Sequence, residues 1–284
     1  MLRTLILFFM SMFMFSNLYA SQSTIVESEG YACMGEDKSR KQTEQAAMAD
    51  AKRKAIEQVS TYIKSETHVK NFEFEKDLTS AYANATVKII QEIEKGWYKD
   101  SSAGDCYKIK IKAEVIPDEK AIEKISKGSQ AADDPSAPLS VNVWTDKKEY
   151  KSGEKIKVYI KGNKPFYAKI VYKDAGGSLI QLLPNPYRQE NYFNGGVVYE
   201  VPSGNDKFEL EVSPPFGTED IVVYSSTAQL GDLNVEAQGG VFEIKTKPKD
   251  IGIQSRGVKI VGSSEKKSAA SEFFEEKVVV KTGK

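Results

Sequence analysis

CYKIKIKAEVIP, residues 106–117, sets Tyr107, Ile109, Ile111, Ala113 and Val115 in alternation with charged or polar residues at 108, 110, 112 and 114. A period of two with one apolar face is the signature of a strand that buries one side and wets the other. What covers the buried side is written upstream. From Arg40 to about Glu66 no Gly or Pro interrupts the chain, and Ala47, Ala51, Ala55, Val59 and Ile63 recur every fourth residue, with Met48, Ile56 and Tyr62 alongside. That is a helical stripe, which Asp37 or Ser39 can cap. Its three alanines bring the helix backbone close to whatever it covers, most simply a sheet. A shorter helical stretch is expected around Lys76 to Asn84. VKIIQEIEKGWYKD (87–100) and the turn SSAGD then read as the first arm of a hairpin, with helix as the alternative for residues 86–95. TIVESEGY (24–31) alternates as a further short strand. Residues 21–125 are therefore expected to form an α+β domain, a long helix on a small antiparallel sheet.

The chain holds two cysteines, Cys33 and Cys106. Their reading depends on the opening segment, MLRTLILFFMSMFMFSNLYA, where Arg3 precedes an apolar run from Leu5 to Phe15 that ends at the small residue Ala20. This is the layout of a cleaved secretory signal over residues 1–20. The run is about eleven residues, short of the roughly twenty that cross a bilayer, so no integral membrane span is expected after cleavage. A periplasmic location follows as the expectation. In an oxidising compartment an even cysteine count argues for a disulfide, here closing 73 residues and worth roughly 4 kcal/mol in the chain-entropy view.

Residues 126–138, SKGSQAADDPSAP, lack periodicity and read as a linker. From residue 139 to 245 short apolar runs alternate with turns: LSVNVWT, EKIKVYIKG, FYAKIVYKD, SLIQLLP, VVYEVP, KFELEV and DIVVYSS. Seven strands at such spacing point to an all-β immunoglobulin-like sandwich. Residues 246–284 form a C-terminal extension with a possible strand at 257–261 and a terminal VVVK, expected to dock as an edge strand.

Composition narrows the chemistry. Without the signal the chain carries 39 Lys plus Arg against 40 Asp plus Glu, interspersed rather than blocked, so nucleic acid is not an expected partner. The single histidine, His68, follows the long helix, where it suits a helix end better than a catalytic base. No zinc, calcium or phosphate-cradling motif is present, nor a nucleophile elbow, and neither metal nor cofactor is expected. The candidate recognition loop is LLPNPYRQENYFNGG (182–196), which places Asn185, Tyr187, Arg188, Asn191 and Tyr192 on a Pro-stiffened connection. Tyr and Arg on a stiff loop suit a binding surface. The competing reading has the aromatics fold back to cap the sandwich, with Arg188 and Asn191 pairing backbone groups.

The ordered series YKSGEKI (150–156), LLPNPY (182–187), VPSGND (201–206) and SPPFG (213–217) lies within residues 144–217, which resemble the bacterial domain-of-unknown-function family 4384. The resemblance implies a secreted or envelope-associated β-rich module without assigned chemistry. Residues 27–117 more loosely resemble the N-terminal domain of the flagellar T-ring assembly protein and related envelope lipoproteins. The expectation is a non-enzymatic periplasmic protein that binds or scaffolds in the cell envelope, with an envelope protein or a glycan as partner. Its alternatives are an assembly factor for a surface organelle such as the flagellum, and a glycan-active enzyme using paired carboxylates.

Overall fold

Ser39 opens the long helix. In the computed structural model, which describes residues 21–66, 72–122, 133–257 and 270–284, its hydroxyl accepts from the Gln42 N–H at 3.3 Å. The Gln42 side-chain oxygen in turn accepts from the Ser39 N–H at 2.8 Å, a reciprocal cap. The expected signal segment, His68, residues 126–132 of the expected linker and residues 258–261 of the possible strand lie outside the described residues. Helix α1 (Arg40–Glu66) buries Ala47, Ala51, Ala55, Val59 and Ile63 against three antiparallel strands, β1 (Ser21–Cys33), β2 (Thr86–Asp100) and β3 (Gly104–Ile116), in the order β1–β3–β2. Tyr107, Ile109, Ile111, Ala113 and Val115 form the underside of that core. Residues 86–95 are strand, not helix.

The alanines act as their spacing suggested. At Gly30 of β1 a Cβ would sit 2.1 Å from the Ala47 carbonyl oxygen and 2.3 Å from the Ala51 nitrogen, so helix and strand meet backbone to backbone. The Ser28 hydroxyl fastens the same contact by donating to the Ala51 carbonyl at 2.9 Å. Helix α2 (Phe72–Ala83) adds buried Leu78 and Tyr82. Cys33 lies directly opposite Cys106 in the β1–β3 ladder, and the two form a disulfide.

Beyond residue 138 the chain builds β4 (Val141–Thr145), β5 (Glu149–Lys151), β6 (Val158–Gly162), β7 (Phe166–Lys173), β8 (Leu179–Leu183), β9 (Tyr192–Phe193), β10 (Tyr199–Val201) and β11 (Thr218–Ser226). The hairpin β12 (Val235–Gln238) and β13 (Val241–Ile244), helix α3 (Pro248–Ser255) and β14 (Ser271–Gly283) complete it. A three-stranded sheet, β10–β6–β4, shares one apolar core with β7, β8, β11 and β14, to which Val143, Ile160, Ile170, Leu183, Val223 and Val280 contribute. KFELEV, expected as a strand, makes only the isolated bridge Lys155–Glu211, because the chain turns away at Pro214 and Pro215 after three backbone bonds, to Gly153, Glu154 and Ile156.

Strand β14 pairs with β1 on one side and β11 on the other. The strands expected in separate domains are thereby continuous in one eleven-stranded sheet, antiparallel throughout except where β5 joins β14. Buried Glu272 lies at the junction: its carboxylate accepts from Lys164 at 3.1 Å, from the Leu139 N–H at 2.5 Å and from the Tyr62 hydroxyl of α1 at 3.1 Å. Buried Glu114 of β3 is met there by Arg256, at the end of α3, and by the Ser23 hydroxyl. Among the described residues no helix is long and apolar enough to cross a membrane.

Candidate functional site

The loop between β8 and β9 is built around Asn185. Its buried side chain accepts from the N–H groups of Tyr187 and Arg188 at 2.8 and 2.9 Å and donates to the Leu182 carbonyl at 2.7 Å. A backbone pair between Asn185 and Arg188 closes the turn. An Asn at the head of a tight turn does this because its short amide mimics the backbone it binds. Arg188 is drawn inward. It donates to Asp206 at 2.9 Å, lies 5.6 Å over the Phe193 ring and reaches the Glu190 carbonyl, while Asp206 also accepts from the Ser203 N–H at 2.7 Å. The ion pair thus staples the 185–190 turn to the SGND turn eighteen residues on.

Held this way, Tyr187 projects outward and is 55% exposed. One face of its ring stacks on Phe208 (centroids 6.3 Å apart, planes 21° apart), and its hydroxyl passes so near the β12–β13 turn that a Cβ on Gly240 would come within 2.6 Å. Gly240 also has a φ of +85°, so only glycine serves both demands there.

Tyr187 separates two concavities. A cleft of about 650 Å³ runs between the 187–190 turn, the edge strand β10 with exposed Val198, and the 203–207 turn. A smaller apolar notch of about 280 Å³, floored by Ile180, Leu182, Phe208 and Leu210, lies on its other side. The larger volume falls within the 300–1,000 Å³ typical of small-ligand sites.

The five candidate residues divide. Tyr187 and Arg188 line the cleft and Asn185 shapes it, whereas Asn191 and Tyr192 are not part of its wall. Asn191 offers its carbonyl to the Ala168 N–H, and Tyr192 packs on Tyr167 with centroids 5.0 Å apart. Sequence reasoning missed Val198, Glu200, Ser203, Asn205 and Lys207. The one available signal was VPSGND, a polar turn following an exposed Val-Val pair. Among the described residues no group of three or more His, Cys, Asp or Glu is placed to hold a metal ion.

Residues 149–229 match the model of a family described as Domain of unknown function (DUF4384). No curated protein and no solved structure matches the chain. Every residue lining the 650 Å³ cleft lies inside the matched segment.

Proposed function

We propose that this chain is a periplasmic, non-enzymatic binding protein of the cell envelope, an α+β unit followed by an immunoglobulin-like sandwich, and that it captures an envelope protein or glycan in the cleft beside Tyr187. The observation that carries this reading is the division of labour in the 185–190 turn. Asn185 and Arg188 are consumed in internal bonds, and the consequence is an immobilised aromatic ring standing exposed over a polar cleft. Ordering cost at binding is lower when the anchor is held beforehand. Two of the three carboxylates lining the cleft are engaged by cations, Asp206 by Arg188 and Glu200 by Lys157, which supports a binding role over paired-acid catalysis. The periplasmic assignment rests on residues 1–20 and is supported by the Cys33–Cys106 disulfide.

The test compares capture from envelope extracts. Tyr187→Ala is expected to lose partner capture while melting within about 2 °C of wild type, since exposed-site changes cost little. Arg188→Ala, by contrast, is expected to lower stability by about 1–3 kcal/mol, because it strips Asp206 of its partner in a half-buried turn. Undiminished capture by Tyr187→Ala would overturn the site assignment.

A further inference from the structure

The geometry points to a neutral oligosaccharide as the ligand of the Tyr187 cleft, an inference that rests on the binding reading above and goes on to name the ligand class. Once the internal pairs are set aside, the groups of the cleft-lining residues left uncommitted among the described residues include the Ser203 hydroxyl, the Asn205 amide, the Lys207 ammonium and the Glu190 carboxylate. Donors and acceptors are both present, and the one remaining positive charge is cancelled by the one remaining negative charge. An anionic or cationic ligand would leave one of these charges opposed. A chain of hydroxyls, each able to donate and to accept, matches the set. The free face of the Tyr187 ring, backed by Phe208, supplies the flat apolar surface that the C–H side of a sugar ring packs against. An extended peptide is the weaker fit, because adding a strand needs a long open edge and β10 presents three residues.

The experiment titrates the full chain calorimetrically with three neutral tetrasaccharides (chitotetraose, cellotetraose and maltotetraose), with an oligogalacturonate as the anionic comparator, and with extended tetrapeptides. At least one neutral tetrasaccharide is expected to bind, with an affinity that hardly changes from low to high salt. Tyr187→Ala is expected to weaken it about tenfold, the loss appropriate to one aromatic contact, and Asn205→Ala a few-fold. Binding of the peptides or the anionic sugar alone would overturn the inference, as would sugar binding indifferent to Tyr187→Ala. If no neutral tetrasaccharide binds while Tyr187-dependent capture from extracts persists, the ligand class is wrong and the site stands. If both fail, the site falls too.

Discussion

Glu276 sits in surroundings that suit a carboxylate poorly. It shares a face of β14 with Phe274, Val278 and Val280, which enter the core between the two sheets, and burial lifts its carboxyl from the ordinary 4.5 to about 7 despite the opposing Val143 N–H. The folded state therefore holds this proton more tightly than the unfolded chain. Stability from this group is greatest below about pH 4.5 and falls as pH rises toward 7, the reverse of an ion-paired acid. Glu276→Gln should abolish that slope and stabilise the protein at pH 8 by roughly 2–3 kcal/mol, read from denaturant midpoints across pH. Unchanged slope in the variant would show that the carboxyl is not the source. Buried Glu272 of the same strand is ion-paired with Lys164; Glu272→Ala leaves that ammonium buried and alone and is expected to cost about 3–5 kcal/mol.

At the scale of elements, α1 and the β1–β3 pair show what periodicity can reveal. The fourfold spacing of Ala47, Ala51 and Ala55 and the twofold spacing of Tyr107 through Val115 each name a face, and two such faces with small residues at the contact imply close packing. Gly30 is where that implication becomes steric. Gly30→Ala should lower stability by about 1–3 kcal/mol through overpacking against α1, whereas Gly96→Ala, with open space around its Cβ on β2, should change little. Equal melting temperatures for the two variants would sink the close-contact account. The 182–196 loop was legible only as a loop. Which of its side chains points outward depends on Asp206 and Phe208, partners outside the loop that no local pattern announces.

For the whole molecule, the continuity of the sheet was the least legible property. VVVK reads locally as an apolar strand, but nothing near it says that β11 waits beside it, or that residues 271–275 just ahead of it pair with β1, some 250 residues earlier. Non-local pairing of this kind is decided by the whole set of edges. The chain supplies its own reporters, one tryptophan in each half: Trp97 packs on Tyr107 beneath α1, and Trp144 stacks on Tyr159 of the small sheet. Single-tryptophan variants, Trp97→Phe and Trp144→Phe, are expected to give coincident denaturation transitions, because β14 couples the halves. Two separated transitions would instead identify two independently stable units.

The position of β14 also bears on how portable the matched segment is. Residues 149–229 contain β11, β6 and β8 but not β14, β4 and β13, which lie beside them in turn. Cut out at those limits, the segment would expose three raw edges, each an invitation to pair with a neighbouring molecule. In this chain the segment is a part with three sockets, and strands from outside its limits plug them all.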